Sequence, residues 1–413
     1  MFKSGKLTFV MDIGAGSSAK GIRAANLWKH YKKNHTTFVV NTYLENAAHS
    51  YEDDNHEYIF QCLSSITPLD DLYEKQYLSP GCAFQKETIL KEITDWNMTP
   101  EKLGIHPNAI IVTKKDIDYE AGRTDFEGNQ KHDRDSANLR IGSTLHGVGA
   151  ARARRVLRRS DVVLAKDIPE LQQYLCATNK EIMSRLNGGE SGLHEIAQGY
   201  QLSLMSEFYP RTTSRNVSVS AALDDSLLPP NVVGPLIANF RTFPIRVNSN
   251  KYIRKSDGKI LTWNEYKETN QDNIEIIKGD SGGCYSDQSE LTWEYISSLA
   301  GRQILETTSL TKLPRRVYSF SKNNMNEGLL FNNTGDNIYI SVNFMNYVDP
   351  SVEGKRTLNE VLTDKVKNWI NSNILTSTNR DYWLLNNINV RGIFIGTFKT
   401  VDDSVFVPIA NQI

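Results

Sequence analysis

The stretch VMDIGAGSSAKGI, residues 10–22, has the pattern of a buried strand followed by a glycine-rich loop and a helix. This arrangement directs backbone N–H groups and a helix N-terminus towards one point, which favours a bound phosphate. Lys20 adds a positive charge there. The match to the nucleotide-binding loop motif is imperfect, because Ala19 replaces its second glycine and Gly21 replaces the hydroxyl residue after the lysine. The alternative is a turn that needs only flexibility and small side chains.

The composition is that of a globular protein with enough apolar residues for a large core. The 413 residues are 39% hydrophobic and 23% charged, with a formal net charge of -1. We therefore expect no general attraction to nucleic acid or to membrane surfaces. No segment has the apolar length of a signal peptide or a membrane span, and the four cysteines lack metal or redox spacing. These features predict a reduced, cytoplasmic protein.

Short apolar runs predict an α/β fold with a large, mostly parallel central sheet flanked by helices. No linker or repeat is evident, so we expect a single domain over residues 1–413, with excursions at about 50–105, 114–190 and 250–330. A long polar loop is predicted for residues 114–138. The other predicted elements are strands at 37–40, 109–112, 240–247, 338–342 and 392–397, a turn at 52–58, and helices beginning near 85 and 289.

Polar residues follow several predicted strands, where α/β proteins place their sites. His49, within residues 46–51, is the one side chain of that segment able to transfer a proton near neutral pH. Residues 143–144 offer hydroxyl groups before a basic helix, whose arginines indicate either a solvated face or anion recognition. Gln198 and Thr213 lie among hydrogen-bonding residues that favour ligand positioning over acid–base chemistry.

Seven short segments, taken in order, resemble motifs of the adenylosuccinate synthetase family, and most closely those of its phage branch, the 2-aminoadenylosuccinate synthetases. The resemblance extends over residues 9–407 and implies the fold of that family. The segments are GSSAKG at 16–21, NAAH at 46–49, STLHGVG at 143–149, the pair Arg158 and Arg159, Gln198, Thr213, and TKLP at 311–314.

The resemblance implies a ligase that joins L-aspartate to C6 of a purine nucleotide, driven by a nucleoside triphosphate with Mg²⁺. In that reaction the purine 6-oxygen first takes the γ-phosphate, and the amino group of aspartate then displaces the phosphate. The resemblance also implies a homodimer in which Arg158 reaches the nucleotide of the neighbouring subunit. For a phage-encoded member, the expected location is the host cytoplasm.

The same resemblance assigns residues to each part of the site. The catalytic residues are expected to be Ser17, Lys20 and His49. The triphosphate site is expected to contain Gly16, Ser17, Ser18, Ala19, Lys20, Gly21, His49, Ser50, Lys312 and Pro314. The dGMP site is expected to contain Ser17, Asn46, Ser143, Thr144, Arg158, Gln198 and Thr213. Aspartate is expected at Asp280, Ser281, Gly282 and Arg246, and Mg²⁺ at Ser17 and Ala48.

Three departures from the family pattern bear on the substrates. Ser17 stands where cellular members carry an aspartate base, and its hydroxyl is too weakly acidic to replace that base but leaves room for the 2-amino group of guanine. Pro314 stands where cellular members carry an aspartate that pairs with GTP, so ATP or dATP is the expected donor. The loop at 280–288 contains no arginine, so the cations that bind aspartate would come from Arg246, Lys312, Arg315 or Arg316.

These departures predict ligation of dGMP with L-aspartate, driven by ATP or dATP. One alternative is an ordinary adenylosuccinate synthetase that uses IMP and has lost its base. A second is a catalytically silent relative that binds nucleotides. A kinase of the nucleotide-loop class is a weaker option, because no second strand ending in the required aspartate stands out.

Overall fold

The computed structural model describes residues 1–131, 136–308 and 312–409. Nineteen strands lie in these ranges: β1 (Leu7–Asp12), β2 (Thr36–Thr42), β3 (His49–Glu52), β4 (Glu57–Phe60), β5 (Lys75–Leu78), β6 (Ala83–Phe84), β7 (Leu103–Ile105), β8 (Ile110–Ile111), β9 (Val163–Leu164), β10 (Ser191–Gly199), β11 (Val233–Arg241), β12 (Ile245–Arg246), β13 (Lys251–Arg254), β14 (Ile274–Ile277), β15 (Glu290–Leu291), β16 (Arg316–Tyr318), β17 (Ile338–Asn343), β18 (Val390–Gly396) and β19 (Ser404–Pro408).

Thirteen α-helices lie in the same ranges: α1 (Lys20–Tyr31), α2 (Lys86–Asp95), α3 (Lys114–Glu120), α4 (Ala137–Arg140), α5 (Val148–Val156), α6 (Thr178–Asn187), α7 (Val219–Ser226), α8 (Trp263–Glu268), α9 (Trp293–Ala300), α10 (Lys322–Phe331), α11 (Leu358–Val361), α12 (Asp364–Asn373) and α13 (Ser377–Leu385). Short 3-10 helices occupy Thr67–Leu72, Ala165–Asp167, Pro169–Tyr174, Tyr200–Leu202, Pro230–Val232, Gln271–Asn273, Met345–Tyr347 and Pro350–Val352. No helix in the described ranges is both long enough and apolar enough to pass through a membrane.

Nine strands form the central sheet, in the order β19-β18-β17-β11-β1-β10-β2-β5-β7. Every neighbouring pair is parallel except β18 and β19, which are antiparallel. This confirms the predicted α/β class with a large, mostly parallel sheet. Four smaller sheets pair β12-β16-β15, β13-β14, β3-β4 and β6-β8-β9.

Both faces of the central sheet are covered, so its strands are apolar without strict alternation. In β1, Phe9 and Met11 pack into one core, while Val10 packs into the core on the other face. All six residues of β1 are buried. The carboxyl ends of β1 and its neighbours β10 and β11 therefore lie side by side in the middle of the sheet, where a site is expected.

Several predicted elements are confirmed, including β1, α1, β2, α2, β17 and β18. The predicted long loop at 114–138 is wrong at both ends, because α3 covers Lys114–Glu120 behind a capping box between Thr113 and Asp116, and α4 begins at Ala137. Residues 121–131 lack helix and strand as predicted, and residues 132–135 lie outside the described residues. The turn at 52–58 is the connection of the β3–β4 hairpin.

Two boundaries also need correction. The strand at 240–247 is two strands, since β11 and β12 belong to different sheets. The helix expected from Ser289 begins at Trp293, where the Thr292 side chain accepts a hydrogen bond from Tyr295 N. The sequence interpretation also missed β10, a fully buried strand beside β1. The expectation of one domain with three excursions stays a prediction.

Candidate active site

The glycine-rich loop between β1 and α1 turns through several left-handed residues. Gly16, Ser17 and Ala19 have φ values of 88°, 55° and 61°. The end of β10 lies directly against this loop: a Cβ on Gly199 would be 2.1 Å from Gly14 O and 2.6 Å from Gly16 N. Only a glycine at the end of β10 permits this approach. The loop is therefore shaped by the neighbouring strand as well as by its own residues.

Two side chains from the sheet hold the carbonyl groups of the loop. Arg241 Nη1 donates to Ser17 O at 2.6 Å, and Asn343 Nδ2 donates to Ser18 O at 2.6 Å. Arg241 also forms an ion pair with Glu306. The N–H group of Ser18 points towards the buried Asp12 carboxylate.

Lys20, the expected phosphate ligand, points into the protein. Its Nζ atom lies 3.3 Å from Asp12 Oδ2, and the two side chains are 6% and 0% exposed. Ser18 N also donates to Asp12 Oδ2, at 3.4 Å. Burial raises the pKa of Asp12, against the opposing effect of Lys20. Asp12 Oδ1 is buried and has no hydrogen-bond partner.

The glycine that follows Lys20 is explained by the packing of the β3–β4 hairpin. A Cβ on Gly21 would lie 2.8 Å from Ser50 O and 3.1 Å from Ser65 Cβ. A serine or threonine at position 21, as in the standard loop motif, would therefore collide with β3. The hairpin carries His49 and Ser50, so α1 and this expected part of the triphosphate site are in direct contact.

His49 is buried beside a carboxylate that the sequence interpretation missed. Its Nδ1 atom lies 3.2 Å from Glu195 Oε1, and its ring stacks on Tyr43 with centroids 3.6 Å apart. The hydroxyl groups of Ser64 and Ser65 donate to Glu195 Oε2, each at 3.0 Å. The His49 ring therefore contacts Tyr43 with its face and Glu195 with its Nδ1 edge, although neither Nδ1 nor Glu195 Oε1 makes a hydrogen bond.

The charges of this pair follow from burial and contacts. Burial and the charge of Lys20 lower the pKa of His49 to about 4. Burial alone would raise the pKa of Glu195, but contacts with His49 and Tyr43 and the charge of Lys20 lower it to about 2. At neutral pH, Glu195 is thus ionised and His49 neutral. Nε2 of His49 is buried without a partner, and an anion placed beside the ring would raise the pKa of His49.

Two residues expected to bind the purine nucleotide are in contact. Gln198 Nε2 donates to Asn46 Oδ1 at 2.8 Å, and Gln198 has a φ of 69° at the end of β10. Gln198 Oε1 and Thr213 Oγ1 are buried without hydrogen-bond partners. These unsatisfied atoms suit a polar ligand, because buried polar groups are normally paired.

The segment expected to bind aspartate is surrounded by arginines from outside it. Arg246 Nε donates to Ser281 O at 2.8 Å, and Arg316 Nη1 donates to Gly282 O at 2.8 Å. Arg211 pairs with Asp280 at 2.8 Å. Arg246 Nη1 is buried without a hydrogen-bond partner, and burial lowers the pKa of this guanidinium to about 10, so it stays charged at neutral pH.

Ser143 lies close to the same segment. Lys251 Nζ donates to Ser143 O at 2.7 Å, and a Cβ on the preceding Gly142 would lie 2.9 Å from Ser281 Cβ. The structure therefore brings one expected nucleotide residue next to the expected aspartate loop.

Other expected site residues make few contacts with these groups. Ser17, Ala48, Thr144, Arg158 and Lys312 have exposed side chains. Pro314 is half-buried and its carbonyl accepts from Asn248 Nδ2 at 3.1 Å. The next residue, Arg315, donates from its backbone N to Glu306 O at 2.9 Å. Glu306 is the partner of Arg241, which donates to the glycine-rich loop. Thr311, part of the 311–314 motif, lies outside the described residues.

The expected metal ligands provide little charge. Ser17 offers a hydroxyl and Ala48 only a backbone carbonyl, and no cluster of three or more His, Cys, Asp or Glu side chains suited to a metal occurs in the part of the chain that the structure describes. Both groups are hard oxygen donors, which fit Mg²⁺ in sites where phosphates and water supply most of the ligands.

The residues that sequence reasoning missed are mainly long-range partners. They include Tyr43, Glu195, Arg241, Glu306 and Asn343. One signal was available for Glu195, since it is the one acidic residue in the run SGLHEIAQG, residues 191–199. A charged residue in a buried strand is normally paired.

Comparisons with known proteins agree with the motif pattern. The chain is 27% identical over 371 residues to the N6-succino-2-amino-2'-deoxyadenylate synthase of Acinetobacter phage SH-Ab 15497, covering 83% of this chain and 84% of the relative. It is 33% identical over 177 residues to the adenylosuccinate synthetase of Thermococcus onnurineus, covering 42% of this chain and 47% of that enzyme. No family model matches the chain.

A solved structure has the same fold. The succinoaminodeoxyadenylate synthetase of cyanophage S-2L, bound to dGMP and to dATP as an energy donor, superposes with a TM-score of 0.71 at 23% identity. The match covers 98% of this chain and 95% of that one. The predicted resemblance to the adenylosuccinate synthetase family and its phage branch is thereby confirmed.

Proposed function

We propose that this chain, as a relative of the phage N6-succino-2-amino-2'-deoxyadenylate synthases, is an ATP-dependent ligase that joins L-aspartate to C6 of dGMP. The observation that carries the proposal is the similarity to such an enzyme over 83% of this chain and 84% of the relative. The product would be N6-succino-2-amino-2'-deoxyadenylate, formed through a new C–N bond. ATP or dATP would supply the phosphoryl group.

The reaction needs two successive displacements. The 6-oxygen of dGMP attacks the γ-phosphorus of the triphosphate while N1 gives up its proton to solvent; the nucleoside diphosphate leaves and a 6-phosphoryl group remains. The amino nitrogen of aspartate then attacks C6, and inorganic phosphate leaves. Both steps depend on positioning and on stabilising negative charge. Lys20 and His49 are the groups that would meet this charge, with Glu195 fixing the imidazole.

The purine specificity would depend on Ser17. This residue has an exposed side chain in the glycine-rich loop, so its hydroxyl is available to a ligand. A neutral hydroxyl accepts a hydrogen bond from the 2-amino group of guanine and leaves more space than a carboxylate. Asn46 and Gln198 would orient the base, and Thr213 would add a hydroxyl.

The amino-acid site would use Arg246. This guanidinium is buried and lacks an acidic partner among its described hydrogen bonds, and its Nη1 atom is free of protein hydrogen bonds. A fixed guanidinium beside the backbone of residues 281–282 suits a carboxylate. Arg316 pairs with Glu290, so Arg246 is the stronger candidate of the two.

Mg²⁺ would be held between the triphosphate, the Ser17 hydroxyl and the Ala48 carbonyl, where it would neutralise phosphate charge. A homodimer would bring Arg158 to the nucleotide of the partner subunit. Arg158 follows Val156 and Leu157, whose side chains are 77% and 63% exposed. Two exposed apolar side chains beside this arginine support an interface at the end of α5. Cytoplasmic location remains our expectation.

The test is a substrate matrix with purified protein, Mg²⁺ and L-aspartate. dGMP or IMP is paired with ATP, dATP or GTP, and phosphate release and the succinylated nucleotide are measured. We expect dGMP with ATP or dATP to give the highest rate. Faster turnover of IMP with GTP would instead identify an adenylosuccinate synthetase, the alternative that the archaeal match favours. Binding of nucleotides by calorimetry without phosphate release would identify a silent relative.

A further inference from the structure

Asp12 accepts from two donors of the glycine-rich loop segment, the Ser18 N–H group and the Lys20 ammonium. The Ser18 N–H group and the Lys20 ammonium converge on one oxygen, Asp12 Oδ2, at 3.4 Å and 3.3 Å. A loop N–H group and a lysine are the donors that a phosphate-binding loop offers to its ligand. The carboxylate of Asp12 therefore stands in for the anion.

The contacts of Asp12 differ from those of the structural carboxylates in this protein. Glu92 uses both oxygens to accept from the N–H groups of residues 61–63, and Glu120 uses both oxygens for the N–H groups of residues 147, 149 and 150. Asp12 is fully buried, yet its Oδ1 atom has no partner. In a permanent buried ion pair, the remaining lone pairs of the carboxylate normally accept hydrogen bonds. The cost of burying Asp12 is therefore poorly compensated by its contacts.

We propose that Asp12 is an internal anion that holds Lys20 and the loop until the nucleotide phosphate binds, and then gives up both donors. This inference rests on the proposed role of Lys20 in binding the triphosphate. Asp12 is a positioning residue in this scheme and contacts no reacting atom.

Release of Lys20 has an electrostatic consequence for Asp12. The charged or titratable groups around the carboxylate are Lys20 and Arg241, with His49 and Glu195 next to Lys20. Arg241 is already paired with Glu306. When the ammonium group of Lys20 moves to a nearby phosphate, the buried carboxylate loses the positive charge that keeps it ionised. Burial and the negative charge of the phosphate then both favour the protonated form, so the carboxylate takes up a proton. Nucleotide binding should therefore be coupled to uptake of about one proton.

The experiment is calorimetric titration of the full-length protein with MgATP between pH 7.5 and 9, in buffers of different ionisation enthalpy. We expect proton uptake by the wild type. For Asp12→Asn we expect little uptake and MgATP binding about fivefold to 100-fold tighter, because the competing anion is gone. Asp349→Asn is the matched control, since Asp349 is also buried but accepts hydrogen bonds from Ser351 and Thr363 rather than from the loop. This control should keep the affinity and proton uptake of the wild type.

Each remaining result contradicts the inference. Equal or weaker MgATP binding by a folded Asp12→Asn protein would show that Asp12 supports the binding conformation. Proton uptake that persists in the Asp12→Asn protein would assign the proton to His49 and not to Asp12. If the variant does not fold, the wild type still decides, because MgATP binding without proton uptake overturns the inference. Absence of MgATP binding by the wild type would instead refute the proposed function.

Discussion

Replacing Gly199 by alanine tests whether β10 shapes the phosphate loop. The backbone of Gly199 is extended, with a φ of -128°, so an alanine adds no backbone strain. Its Cβ would lie 2.1 Å from Gly14 O and 2.6 Å from Gly16 N. Ordinary contact requires the strand and the loop to separate by more than about 1 Å. Both partners are backbone atoms, so no side-chain rotation relieves the collision.

Overpacking of this kind costs about 1–3 kcal/mol in the free energy of unfolding. A shift of about 1 Å also misplaces the loop N–H groups, so we expect MgATP affinity to fall at least about tenfold. Thermal unfolding and calorimetric titration measure the two effects. Gly283→Ala is the matched control, because nothing lies within 4 Å of its added Cβ. Wild-type MgATP affinity in a folded Gly199→Ala protein would refute the reasoning.

Three further predictions follow from the charges and contacts of the site. Contacts with His49 and Tyr43 and the charge of Lys20 lower the pKa of Glu195 from 4.5 to about 2, so its ionised form stabilises the fold above pH 4.5, and this stabilisation is lost as the pH falls towards 2. Unfolding measured across this acid range should therefore be flatter in Glu195→Gln, and identical slopes would contradict the assignment. Ser17→Asp should lower the ratio of kcat/KM for dGMP to kcat/KM for IMP. The unfolding temperature should not change, because the side chain is exposed. An unchanged ratio would remove Ser17 from the purine site. Arg246→Gln should raise the KM for aspartate at least about tenfold while leaving MgATP affinity intact, since a charged hydrogen bond to the carboxylate is lost, and a normal KM would place the amino acid elsewhere.

The core of the fold was predictable from local patterns. The strand, loop and helix from β1 to α1 follow from apolar spacing and glycines that are adjacent in sequence. The strand β10 was missed because it contains His194, Glu195 and Gln198, which a local pattern takes for an irregular polar segment. Their partners lie far along the chain: His194 Nε2 is 2.9 Å from Ser226 Oγ, and Glu195 accepts from Ser64 and Ser65. Burial of polar residues depends on such distant partners, which sequence spacing does not reveal.

The candidate site likewise combines features that are visible in the sequence with features that depend on tertiary packing. The Gly21 departure from the loop motif was visible in the sequence, but its cause, the contact with Ser50 on β3, depends on tertiary packing. The arginine-free loop at 280–288 was also visible, and the identity of its neighbours Arg246 and Arg316 was left open among four cations. Asp12 adjoins the loop in sequence, yet its contact with Lys20 depends on how the loop turns back over the end of β1.

The close packing of α1 on the β3–β4 hairpin has a practical consequence. Tyr58 and Phe60 of β4 pack against Trp96, with ring centroids 4.8 Å and 5.3 Å apart. Because a Cβ on Gly21 would lie 2.8 Å from Ser50 O on β3, we expect a movement of the phosphate loop to be transmitted to the hairpin and then to this indole. We therefore expect the emission of Trp96 to report events at the loop, measured in a variant in which the other five of the six tryptophans are replaced.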